Sequence, residues 1–145
     1  MADYLSLRAT NDEIRSAGVS ALFEALTTIV NEEAKSGRQI TATFVETHNF
    51  TYQNANISGS RIEFRIGIRC LTVEAGWTRT PTDGFMRGGA LAIARFHHFG
   101  IKKANVELFL VRRNTGVVWM LVDEGVAVSI FAYEQLKGHI DILIA

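Results

Sequence analysis

The stretch from Arg61 to Glu74 constrains the fold most, because Ile62, Phe64, Ile66, Ile68 and Cys70 alternate with Arg61, Glu63, Arg65 and Arg69. A period of two sends these sets to opposite faces of a strand. The first set, with Cys70 as a small core residue, faces a core; the second is wet or meets a partner. At around 14 residues the strand exceeds the usual length of about 5 to 6, so it protrudes from a compact sheet or bends near Gly67.

Helical spacing replaces this alternation at the start of the chain. Leu22, Phe23, Leu26, Ile29 and Val30 recur as one apolar face, to lie against a sheet. Thr10 and Glu13 have capping-box spacing, Asp12 adds charge to that turn, and Gly37 is a stop. Between Gln39 and Val45, Ile40, Ala42 and Phe44 alternate with threonines as a strand that Phe50 and Tyr52 extend past a bend. Asn54 to Ser60, rich in Asn, Ser and Gly, reads as a loop or hairpin connection.

Beyond the long strand, the sole proline, Pro81, marks an exposed turn into a second helix capped by Thr82 or Asp83 and running to about Phe99. Its Gly88-Gly89 pair implies close backbone packing or exposure. Val106, Leu108 and Leu110 then form a strand, with Asn114-Thr115-Gly116 as a hairpin turn into Val117 to Val122. Asp123-Glu124-Gly125 turns the chain again, Val126 to Tyr133 is a third strand, and Ile140, Ile142 and Ile144 suggest a short terminal one. Helices do not alternate regularly with strands. The expected class is therefore α+β, one domain over residues 1–145, with a curved, mostly antiparallel sheet packed by a long N-terminal helix and a second central helix.

Lys plus Arg and Asp plus Glu both number 15, leaving no net charge to draw the chain onto nucleic acid or an anionic membrane, and little repulsion between copies. Hydrophobic residues at 48% suffice to fill a core. A single cysteine excludes an intrachain disulfide and a thiolate cage, and with no signal-peptide layout or membrane-length apolar run the expected location is the cytoplasm. Asn56-Ile57-Ser58 matches the glycosylation sequon but has no secretion signal to act with.

Catalytic motifs are thin. His97 and His98 are adjacent and cannot easily share a metal on a helix, while His48 and Glu46 form a minimal acid/base or ligand pair on one strand face. No GxSxG elbow, Walker loop or GxGxxG occurs. The segment Asp83-Gly84-Phe85-Met86-Arg87-Gly88-Gly89 is a glycine-rich helix entry whose backbone N–H groups could hold an anion. It resembles the central helix of hot-dog thioesterases, and that resemblance implies acyl-thioester hydrolysis with Asp83 and Gly88 in the site.

Arg61, Arg65 and Arg69 make a basic stripe, joined by Arg112-Arg113 and Lys102-Lys103, but Glu63 interrupts it and no aromatic residues interleave. Direct nucleic-acid recognition is disfavoured. A face meeting another subunit, with Arg61, Glu63, Arg65 and Arg69 in the contact, accounts for it better. Phe109, Val111, Trp119 and Leu143 fall on the wrong parity of their strands, and Phe109 and Trp119 join that expected interface. A homo-oligomer, as a closed ring in one arrangement, would cover such edges and patches.

The leading helix, the extended hairpin Phe44 to Glu74, the second helix and the closing strands loosely resemble, in element order, the ring-forming tail-terminator and tail-completion proteins of tailed bacteriophages. The resemblance implies a non-enzymatic assembly protein whose hairpin grips a neighbouring subunit, with copies of itself and other assembly proteins as partners, in host cytoplasm and virion. No cofactor or metal is expected. A third reading is a small-ligand module with a pocket between helix and sheet lined by Phe64, Trp77, Phe96 and Trp119.

Overall fold

The period-two alternation that fills the middle of the chain becomes seven strands joined by short turns. The computed structural model describes residues 2–114 and 116–145, with the side chains of residues 2–6 and Arg87 outside that description. After helix α1 (Ala2–Ala34) come β1 (Thr41–Tyr52), β2 (Ala55–Ile66), β3 (Arg69–Trp77), β4 (Ala92–His98), β5 (Val106–Arg113), β6 (Gly116–Asp123) and β7 (Val126–Ile130), and helix α2 (Tyr133–Ile144) closes the chain. The strands pair antiparallel in chain order as one open sheet. The fold is α+β, as the sequence indicated. Among the described residues, no helix is long and apolar enough to cross a membrane.

Helix α1 starts at Ala2, not at the Thr10 capping signal, and ends near Gly37, whose φ of 94° suits glycine. Its 33 residues span about 50 Å, and the buried face is Val19, Leu22, Phe23, Leu26, Ile29 and Val30. These meet Ile62, Phe64, Leu71, Val73, Ala75, Ala94, Phe96, Leu108, Leu110 and Trp119 in one core. Gly18 lets the helix sit close: a Cβ there would lie 2.6 Å from Leu110 Cδ2, and Trp119 Nε1 donates to the Gly18 carbonyl at 3.0 Å. Phe64, Trp77, Phe96 and Trp119, expected to line a pocket between helix and sheet, are all buried in that core.

Several sequence expectations are corrected. The long strand Arg61 to Glu74 is two strands, reversed at Gly67-Ile68, where Gly67 has φ 60°. That reversal moves Cys70 opposite Arg65 and Arg69 opposite Ile66, so Cys70 is buried on the face of Arg61, Glu63 and Arg65, while Arg69 lies on the helix side and donates to the Ile142 carbonyl at 3.4 Å. The loop expected over Asn54 to Ser60 shrinks to Gln53-Asn54, both at positive φ, and β2 begins at Ala55. Phe50 and Tyr52 do continue β1, past a bulge between Val45 and His48.

No helix runs from Thr82 to Phe99. Gly84, Gly88 and Gly89 take φ values of 103°, 60° and 70°, which break a helix, so Pro81–Asp83 and Arg87–Gly89 form only 3₁₀ turns. Ala92, Ala94 and Phe96, on the helix side, then alternate with Ile93, Arg95 and His97, on the open side, as strand β4. The second helix is instead at the end of the chain. Leu136, His139, Ile140 and Leu143 are its buried face, its first turn is closed by Ala132 N–H on Gln135 Oε1 at 2.8 Å, and the expected strand of Ile140, Ile142 and Ile144 does not exist. Strand β7 stops at Ile130, short of Tyr133, and Thr115 of the expected hairpin turn lies outside the described residues.

Two features of the core generate measurable expectations. Gly59 and Gly76 face each other across β2 and β3, and a Cβ on Gly59 would fall on the Ala75 carbonyl oxygen. Gly59→Ala should therefore lower stability by roughly 2–3 kcal/mol, read by urea unfolding, whereas Gly116→Ala, whose added Cβ would enter open space, should change it by less than about 0.5 kcal/mol.

On the helix side, His98 Nε2 and His139 Nδ1 are 2.8 Å apart in a stacked, buried pair against Phe96 and Phe131. Burial, then the neighbouring His98 ring, lowers the His139 pKa to about 4, and burial followed by His97 lowers that of His98. A base with a depressed native pKa makes the unfolded chain bind more protons below about pH 6.5, so stability falls as pH drops from there towards 4. Between pH 7 and pH 5 the loss from His139 should be roughly 1–2 kcal/mol, and His139→Phe should flatten the pH dependence.

Candidate functional site

Both helices pack on one side of the sheet, so the other side carries no helix. At one end of that open face, Tyr52, Ala55, Ile57, Ala90, Ile93 and Phe109 form a small second core. The strand register places a polar region beside it. Arg61 on β2 lies opposite Glu74 on β3, Glu74 opposite Arg95 on β4, and Arg95 opposite Glu107 on β5. Four charges of alternating sign thus form one row across four strands.

The centre of this row is tied together. Glu74 Oε1 accepts from Arg95 Nε at 2.8 Å, and its Oε2 meets His48 Nε2 at 2.8 Å. His48 comes from the bulged part of β1 and stacks on Phe50 at 5.8 Å, with the Arg95 guanidinium 5.1 Å over the same ring. The expected partner of His48, Glu46, is not its partner in the fold, because the bulge separates their strand faces. Glu74 holds the His48 ring through Nε2, orienting it as a positioned base or ligand would be.

His48, Glu74 and Arg95 line an open cleft of about 880 Å³, together with Arg61, Thr72, His97, Asn105, Glu107, Glu124 and Val128. That volume lies in the range of small-ligand sites. His97 points to this side and bonds Asn105 Nδ2 at 3.1 Å, while His98 points into the helix-side core, so a strand and not a helix separates the adjacent histidines. Among the described residues, no three His, Cys, Asp or Glu side chains gather as a metal-binding group.

The other sequence candidates disperse. Asp83 Oδ2 accepts from the Thr80 backbone N–H at 3.2 Å and is 3.1 Å from the Thr80 hydroxyl, while Gly88 lies in a 3₁₀ turn, so the helix start expected to hold a thioester carbonyl does not form at these residues. Arg61, Glu63 and Arg65 share the open face, with Glu63 and Arg65 paired at 3.6 Å, but Arg69 is on the opposite one. Phe109 and Trp119 are only 1% and 9% exposed, each covered within the chain, and Leu143 is buried in α2. Glu74, Arg95 and Glu107 were not singled out from sequence. Their alternating signs become a signal only once the strand register is known.

A second surface is the outer edge of β7. Its five residues carry no charge and no proline, and Val126, Val128 and Ile130 are 61%, 54% and 50% exposed. No protein family, no curated protein and no solved structure matches the chain.

Glu74 is largely buried and serves two partners, so Glu74→Ala leaves Arg95 and His48 without their shared acceptor. We expect a loss of roughly 1–2 kcal/mol, discounted for the partial exposure of Arg95, with a double-mutant cycle against Arg95→Met giving clear coupling.

Proposed function

We propose that this chain is a non-enzymatic structural or assembly protein that works as a homo-oligomer, in the manner of ring-forming phage tail-completion proteins. The supporting observation is the bare edge of β7. Edge strands in monomers are usually blunted by charge, proline, a bulge or a cover, because their unpaired N–H and C=O groups template pairing with another chain. In β7 a bulge at Val128 is the one irregularity, and exposed apolar side chains flank the free backbone. Zero net charge adds no long-range repulsion between copies.

Strand number limits the geometry. Seven antiparallel strands leave β1 and β7 running in the same direction. A ring about an axis along the strands would set β7 beside the next subunit's β1 in parallel, whereas a two-fold axis would pair β7 with itself antiparallel. Arg61, Glu63 and Arg65 remain available to a neighbour or to other assembly proteins on the open face. On this reading the protein acts in host cytoplasm and in the virion.

Light scattering at micromolar concentration should give a discrete multiple of 16.1 kDa, and Val128→Lys should shift it to the monomer while retaining the circular-dichroism spectrum. A wild-type chain that stays a monodisperse monomer would sink the proposal. A mass of two subunits would favour the two-fold arrangement over the ring.

A further inference from the structure

We propose that the cleft on the open sheet face binds an extended zwitterion, with its anionic end at Arg61 and its protonated amine at Glu107. The charged row is satisfied at its centre and unsatisfied at its ends. Glu74 takes His48 and, through Nε and Nη2, Arg95, and among the described residues no ion pair joins Arg95 to Glu107. Arg61 Nε and Glu107 Oε2 are both shielded from solvent without a hydrogen-bond partner. Charged groups in that condition are costly, and a ligand that approaches them relieves the cost.

The sign pattern selects the ligand class. A simple anion would meet Arg61 but leave Glu107 unpaired, and a polyanion would be repelled by Glu107 and Glu124. A simple cation fails at the other end. Arg61 and Glu107 stand three strand spacings apart, about 14 Å between backbones, and both line the cleft. An extended peptide advances about 3.3–3.6 Å per residue, so three or four residues with free termini bridge the two ends. Thr72, His97 and Asn105 offer hydrogen-bonding groups along the way, and Val122 and Val128 give an apolar wall.

Calorimetry with trialanine and tetraalanine tests this on the wild-type protein, beside the same peptides acetylated at the N-terminus or amidated at the C-terminus. Free peptides should bind, and either block should weaken binding by about tenfold or more, since each removes one charge pair. Glu107→Gln should weaken the free peptide by a similar factor and leave the acetylated one unchanged, while Arg61→Gln should do the same for the free and amidated pair. Absence of binding by free peptides at millimolar concentration overturns the proposal. So does equal binding of free and blocked peptides, a comparison that needs no variant to fold. Oligomerisation through β7 is read separately, by mass, so either idea can fail alone.

Discussion

The seating of α1 on the sheet is the contact on which the rest depends. One carbonyl in mid-helix, that of Gly18, takes the Trp119 indole N–H at 3.0 Å, and the missing side chain at Gly18 admits Leu110. Without this approach the helix-side faces of the central strands would be exposed, including Phe64, Leu71, Val73, Phe96 and Leu108, each of which contributes roughly 1.5–3 kcal/mol by being buried. α2 completes the cover by packing against both α1 and the sheet. A Lys137–Glu33 pair at 3.8 Å and an Arg38 bond to the Ile144 carbonyl link the two helices' ends.

Covering one face so fully leaves the two sides of the sheet chemically unlike each other. The helix-side core is apolar, with His98 and His139 as its buried polar residues, while the open side mixes a small aromatic cluster with acidic and basic side chains held in register. Antiparallel pairing accounts for this division, since each strand sends alternate side chains to opposite environments. Phe109 illustrates it. Its wrong parity relative to Leu108 and Leu110 is no defect to be hidden by a neighbour, because it packs with Tyr52, Ile57 and Ile93 on the other side.

Much of this was legible in the sequence, and the failures share physical causes. The α+β class, the apolar face of α1, the extension of β1 and the strands β5, β6 and β7 follow from periodicity that tertiary contacts do not override. Strand β4 was hidden because Ile93 shares its open face with Arg95 and His97, which blurs the apolar and polar alternation, and because the glycines before it read as a helix entry. In α2 the isoleucines at 140, 142 and 144 imitate a strand, while Leu136, His139, Ile140 and Leu143 carry the helical spacing. The two-residue reversal at Gly67-Ile68 is silent in a period-two pattern. It preserves the alternation in sequence while exchanging the faces in space, which is why Arg69 and Cys70 were both assigned to the wrong side. The charged row was illegible for a related reason: its members lie 13, 21 and 12 residues apart, and only the register brings them into line.

That register has a kinetic side. Every strand pairs with the strand next to it in the chain, so the sheet can grow one hairpin at a time with small loop closures. Such nearest-neighbour order gives a low mean separation between contacting residues for a protein so rich in β-structure, and folding speeds up as that separation falls. The distant contacts are left to the helices, whose sequence positions at opposite ends of the chain make their meeting the long-range event. A sheet assembled before α1 and α2 dock would briefly present its apolar helix side, making helix docking the step at which this chain is most exposed to its own copies.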